Sequence, residues 1–303
     1  MKTVTERMMS NASGQPRPPR KDRRDQARDN AKLMRDEERK RARHRRMLWR
    51  GGIGLTLLAA ATVVALVIVN HMAPSGTGPR NMASDGILIG GDGTTVSAAT
   101  TPALAAGAKP ASTDQSRLGD MVNIAIYADY KCGLCGQFEA TNGAQIESWV
   151  TAGNATVELH PISILDASSL GTNYSTRAAN AAACVANYAP DSFLAVNAAL
   201  FANQPAENSS GLTDAELQSL IVNAGVTNVS IPACITNATF VPWVGAASDR
   251  ALKGPLPNAD IRKVTGTPTV LVNGVSYTGS LRDATAFEAF VLKQAGATDT
   301  SGD

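Results

Sequence analysis

Tyr127-Ala128-Asp129-Tyr130-Lys131-Cys132-Gly133-Leu134-Cys135-Gly136-Gln137-Phe138-Glu139 is the stretch around which the rest of the chain is read. An apolar run from Met121 to Tyr127 leads into it and predicts a buried strand. The pattern after Cys135 is helical. A strand that delivers Cys-x-x-Cys to the first turn of a helix is a redox device. That turn carries unpaired N–H groups and the positive end of the helix dipole, so a thiolate there is stabilised. A more acidic Cys132 is a nucleophile and a good leaving group near neutral pH. Cys135, one turn further in, is expected to be shielded and to act as the resolving thiol. Half of a zinc site is the competing reading. It needs a second Cys/His pair, none is spaced for one, and no metal is expected.

The 303-residue chain has a formal net charge of +2, which hides an asymmetry. Residues 1–50 hold 17 Lys+Arg against 7 Asp+Glu, a net of +10, and the remainder nets −8. Residues 1–21 are polar and proline-bearing, and disorder is expected there. Asp22 to Arg46 alternates basic and acidic residues without an apolar face. Such a run invites a nucleic-acid reading. The uncharged segment just after it favours a solvated juxtamembrane segment instead, and no nucleic-acid partner is expected. Gly51 to Val69 is 19 residues without a charge, enough to span a hydrocarbon core of about 30 Å. Trp49 suits the interface, and the basic load upstream keeps the N-terminus cytoplasmic. No convincing cleavage site comes after the run, and no cysteine is there for lipidation. Residues 51–71 are therefore read as a transmembrane signal anchor after a cytoplasmic tail (1–50), with the body outside the cell membrane.

Residues 72–118 are rich in Gly, Ser, Thr, Ala and Pro and read as a flexible linker. Gly86-Ile87-Leu88-Ile89-Gly90 within it suggests a first strand at 86–90. The body, 119–295, opens with a strand at 121–128, a helix at 133–151 and a strand at 156–163. A helix-rich stretch comes next over 174–252, with breaks at Pro190, Pro205, 225–232 and Pro242. Thr213 with Glu216 makes a capping box. Asn273-Gly274 between two apolar runs predicts a hairpin. A final helix is expected from about Asp283 to Gln294, with Phe287, Phe290 and Val291 inward, and 296–303 as a polar tail.

This order resembles the thioredoxin superfamily: an α/β thioredoxin fold, here preceded by one transmembrane helix. The helical insertion, about 170–255, resembles the DsbA branch. Further detail resembles the membrane-anchored DsbA-like proteins of actinobacteria. It is carried by Tyr127 to Cys135, Ile164-Leu165-Asp166 with Tyr174 to Ala179, Cys184, Pro232-Ala233-Cys234-Ile235 and Gly266-Thr267-Pro268-Thr269-Val270. The resemblance covers roughly 120–295. It implies that Cys132 attacks, that Cys135 resolves, and that Pro268 is a cis-proline exposing the Thr267 backbone to an extended substrate chain. Three positions depart from the family's habit: Gly133 where proline is common, Leu134 where strong oxidants carry histidine, and Ile126 where many thioredoxins are acidic. Asp129 is the nearest acid, either a proton relay for Cys135 or a loop residue.

Cys184 and Cys234 both fall in the helical block. Outside the membrane, thiols pair, and a structural bridge pinning two insertion helices is expected, with a second redox relay or two buried thiols as the alternatives. His160 is expected to be structural, and Trp243 with Phe240 to pack the insertion. The function expected is that of a membrane-tethered thiol:disulfide oxidoreductase that forms disulfides in unfolded exported proteins. The cysteine pair is its redox centre, with no organic cofactor. By resemblance, a membrane quinone-linked oxidase of the vitamin K epoxide reductase type reoxidises it. A reductase or isomerase, as in cytochrome maturation, and a non-catalytic scaffold are the alternatives.

Overall fold

A computed structural model describes residues 76–119 and 121–299. The segments expected as a cytoplasmic tail (1–50) and a signal anchor (51–71), and the last residues of the expected polar tail, lie outside them. Among the described residues no helix is long and apolar enough to cross a membrane.

The elements run β1 (Ile87–Gly91), β2 (Val96–Ala98), β3 (Val122–Ala128), α1 (Gly133–Thr151), β4 (Ala155–Pro161), α2 (Tyr174–Tyr188), α3 (Phe193–Ala202), α4 (Asp214–Asn223), α5 (Ser230–Thr236), α6 (Val241–Lys253), β5 (Thr269–Val272), β6 (Val275–Ser276) and α7 (Ala284–Asp299). One sheet holds the strands in the order β2-β1-β4-β3-β5-β6. Among the described strands only β3 and β4 pair in parallel, from Val122 opposite Ala155 to Ala128 opposite Pro161. A parallel pair needs a long crossover, and α1 supplies it.

Alternation along the strands divides the core. Ile124 and Ile126 of β3 face Val272 and Val270 of β5, in register, and join the main core with Phe138, Ile146 and Val150 of α1 and Phe287 of α7. Ala125 and Tyr127 point the other way. There Tyr127 and Leu271 meet Ile162, Ala251, Leu256 and Val264. The hairpin forms at Asn273-Gly274, whose φ values of 48° and 81° are what a tight two-residue turn of that hand demands. The capping box is present, with Thr213 Oγ1 accepting from the Glu216 N–H and Glu216 Oε2 accepting from the Thr213 N–H. The last helix runs beyond Gln294 to Asp299, so the polar tail begins later than its composition suggested.

The stretch 76–118 corrects the flexible-linker expectation. It is strapped to the body. Met82 is fully buried, and β1 pairs antiparallel with β4. Asn81 donates to Ala186 O, and Asp85 takes a two-pronged ion pair from Arg250 at 2.6 and 2.7 Å. Glu158, buried in the middle of β4, accepts from Ser84 Oγ at 2.5 Å and Thr113 Oγ1 at 2.8 Å. A carboxylate inside a sheet is costly unless hydrogen-bonded, and this strap meets that need. Its apolar hold is Met82, Ile87 and Ile89, the last two within the strand expected at 86–90, while its other fastenings are polar and leave no hydropathy pattern.

The insertion is built on α2. Ala178, Ala179, Ala181, Ala182, Ala183 and Ala186 are all fully buried. Side chains that small let neighbouring helices approach closely, and the Cys184–Cys234 disulfide ties α2 to α5 across a Cα–Cα distance of 6.0 Å. Trp243 and Phe240 are buried in the same core.

Candidate active site

The turn between β3 and α1 is held from below. Asp129 is fully buried, and its carboxylate accepts the N–H of Lys131 at 2.8 Å, of Ile164 at 2.8 Å and of Leu165 at 3.0 Å. Burial raises its pKa above the ordinary carboxylate value, against the pull of those three amides and of the Ser175 hydroxyl. Its amide contacts make Asp129 the anchor between this turn and the loop after β4.

Cys132 is the N-cap of α1. Its carbonyl accepts the N–H of Cys135 at 3.0 Å and of Gly136 at 3.2 Å, which starts the helix. Its thiol lies 3.2 Å from the carbonyl oxygen of Thr267, and the Thr267–Pro268 bond is cis. Both active-site cysteines are reduced and buried. Their acidities are driven apart. The Cys132 thiol is lowered to about 6, first by a hydrogen bond from the Cys135 thiol, then by the Thr267 side chain and the N–H groups of Cys135 and Leu134, against the opposing effect of burial. The Cys135 thiol is pushed strongly up, first by burial and then by Cys132 beside it. Leu134, half exposed, adds neither charge nor hydrogen bond from its side chain.

This difference predicts a titration. Thiolate absorbance of the reduced protein will rise with a midpoint near pH 6, from one cysteine only. The folded value lies below the ordinary thiol value of 9, so ionisation stabilises the reduced fold fully above pH 9 and stops doing so as pH falls through about 6. Each unit of difference is worth about 1.4 kcal/mol. The stability of the reduced form relative to the oxidised form should therefore climb between pH 6 and pH 9. A flat difference would overturn the assignment.

Residues from far along the chain complete the site. The loop 203–213, between α3 and α4, lies against the turn. Gln204 Nε2 donates to Tyr130 O and Cys132 O at 3.0 and 2.9 Å. Glu207 Oε1 accepts the Gly133 N–H at 3.0 Å. Lys131 Nζ donates to Ser209 O and Oγ at 2.8 and 2.9 Å and sits over the Tyr174 ring. Sequence reasoning missed this clasp, since a loop some seventy residues away leaves no local signal. His160 is buried, stacked on Tyr127 at 4.2 Å, with Nε2 3.6 Å from Glu158. Among the described residues no cluster of His, Cys, Asp and Glu is placed to hold a metal ion.

An acidic N-cap thiol over a buried partner thiol, facing a cis-proline, belongs to dithiol redox proteins as a class. Comparison with known proteins carries this further. Residues 120–291 match the family described as thioredoxin, and the chain belongs to that family. The crystal structure of reduced DsbA from Mycobacterium tuberculosis superposes with a TM-score of 0.52 at 27% identity, over 70% of this chain and 93% of that one. BdbD from Bacillus subtilis shares the fold, with a TM-score of 0.51 at 18% identity over 74% of this chain and 99% of that one. The serine/threonine-protein kinase PknE of Mycobacterium tuberculosis is 33% identical over 151 residues, which are 48% of this chain and 26% of the kinase. This chain thus spans about a quarter of the curated relatives it matches. Within the thioredoxin family, this chain is similar in fold to DsbA.

Proposed function

We propose that this protein forms disulfides in exported, unfolded proteins, working outside the cytoplasmic membrane from a tether at 51–71. The observation that carries the reading is the placement of Cys132 at the start of α1, beside the carbonyl of the cis Thr267–Pro268 bond, with Cys135 buried behind it. In the oxidised protein a substrate thiolate attacks Cys132 Sγ. The Cys132–Cys135 bond breaks, and Cys135 leaves with the electron pair and takes a proton. A second substrate thiolate then attacks the substrate sulfur of the mixed disulfide and expels Cys132 as a thiolate. The substrate has lost two electrons and two protons, and the protein has become the dithiol. A leaving thiol of low pKa departs faster, so the acidity of Cys132 favours this direction. The cis Thr267–Pro268 loop, whose carbonyl lies beside Cys132, suits an extended chain pairing through its backbone. Reoxidation falls to a membrane quinone-linked oxidase of the vitamin K epoxide reductase type.

The location rests on three supports: the basic run in 1–50, the uncharged run at 51–69, and a second disulfide of the kind that persists in oxidising compartments. The test is oxidative refolding. The oxidised full-length chain, mixed with a reduced protein whose activity needs its disulfides, should restore that activity stoichiometrically. Its potential should lie well above the roughly −270 mV of thioredoxin. A value near that of thioredoxin would favour the reductase instead.

A further inference from the structure

The N-terminus of α1 holds two acidic groups. Besides the Cys132 thiol, the carboxylate of Glu207 occupies the Gly133 N–H at 3.0 Å. The loop that carries Glu207 is fastened around this contact. Gln204 grips Tyr130 O and Cys132 O, Lys131 grips Ser209, Thr172 Oγ1 donates to Ser210 O, and Arg177 Nη2 donates to Leu212 O. Glu207 is therefore held against the first turn of the catalytic helix by contacts on both sides of it. It is exposed, so its charge acts through a screened path.

Amides at a helix start favour an anion, and each anion placed there competes with the next for the same positive end. A carboxylate on the first amide thus works against ionisation of the thiol beside it. The other charges facing that thiol are few. Lys131, its chain neighbour, carries a charge of the opposite sign to a thiolate, but its ammonium interacts with Glu207 and Asp129. Asp129 lies beneath, engaged by three amides. Further along α1, Glu139 bonds to Asn197, and Arg282 is engaged by Gln137. The facing loop, Gly266-Thr267-Pro268-Thr269, carries no charge.

We propose that Glu207 is a positioning residue that restrains the acidity of Cys132, so that this insertion loop, rather than the Gly133-Leu134 dipeptide, trims the oxidising strength of the pair. The proposal rests on the oxidoreductase reading above. It assigns a charge-tuning role to a residue outside the Cys-x-x-Cys, one whose substitution leaves both cysteines in place.

The test compares the full-length chain with Glu207→Gln and Glu207→Ala. Glutamine keeps an oxygen for the Gly133 N–H and removes only the charge, so a purely structural role would leave Glu207→Gln silent. The readouts are thiolate absorbance against pH and equilibrium with reduced and oxidised glutathione, each at low and high salt. The expected result for Glu207→Gln is a thiol roughly two- to fivefold more acidic, the scale of one charge at an exposed helix end. The equilibrium should move by the same factor toward reduced protein, and the change should shrink in high salt. Glu207→Ala should shift in the same direction. If wild type titrates near pH 6 and Glu207→Gln matches it, or shifts the opposite way, the proposal is overturned and the oxidoreductase reading stands. If wild type itself titrates like a free thiol near pH 8.5, both fall.

Discussion

Replacing Cys132 with serine will abolish disulfide transfer, and replacing Cys135 with serine will leave the protein joined to its substrate. Both outcomes come from position. Cys132 caps α1 beside Thr267 O, with an acidity near 6. In the proposed cycle it is the sulfur that the substrate attacks and the one that leaves. Serine at this position has no comparable anion near neutral pH, and loss of a covalent nucleophile costs roughly three orders of magnitude or more. Cys135 is only 2% exposed, and its thiol is raised by burial. It meets no substrate directly. In the proposed cycle its task is to attack the Cys132 sulfur from within and so resolve stalled mixed disulfides. Without it, when the Cys132 thiolate attacks a disulfide in a substrate and expels one of its sulfurs as a thiolate, the resulting covalent adducts should accumulate and be visible on non-reducing gels, dispersing on addition of dithiothreitol. Adducts formed equally by a Cys132→Ser variant would refute this division of labour.

The second large effect concerns stability. Changing Cys184 and Cys234 together to alanine opens a loop closed over a sequence separation of 50. The chain-entropy model puts the loss at up to about 4 kcal/mol, and measured losses usually fall below such estimates. For a domain of this size the melting temperature should drop by roughly 5–15 °C. Alanine suits the site, since α2 is already lined with buried alanines, so the loss should reflect the missing link rather than a clash. The Cys132 titration midpoint should not move in this variant. If disulfide transfer disappears while the fold persists, the bridge belongs to a redox relay, not to the scaffold.

How much of this was legible in advance differs from element to element. The strand-turn-helix around Cys132, the Asn273-Gly274 hairpin and the Thr213–Glu216 cap each depend on residues close in sequence, and each stands where local patterning places it. The helical insertion was legible as a block, with Pro190 and Pro242 at element boundaries. Of the strap over 76–118 only β1 was legible, from the apolar patch at 86–90. The strap's polar hold depends on Asn81, Ser84, Asp85 and Thr113 meeting partners at 186, 158 and 250, and polar contacts across such separations have no period. The clasp was hidden for the same reason. Gln204, Glu207 and Ser209 look like ordinary loop residues after a helix until the fold carries them to the cysteines. Asp129 stood out as the nearest acid, but the number of amides it gathers is set by the loop after β4, which local sequence does not place.

The run of buried alanines in α2 makes that helix a spacer of fixed thickness. Its first turn carries Arg177, which bonds Leu212 O and Asp214 and so anchors the far end of the clasp. Any broader side chain within the run would wedge the insertion apart and drag that anchor with it. A search for variants that alter redox behaviour with both cysteines intact should therefore sample this helix, where adding a single methyl group changes the gauge.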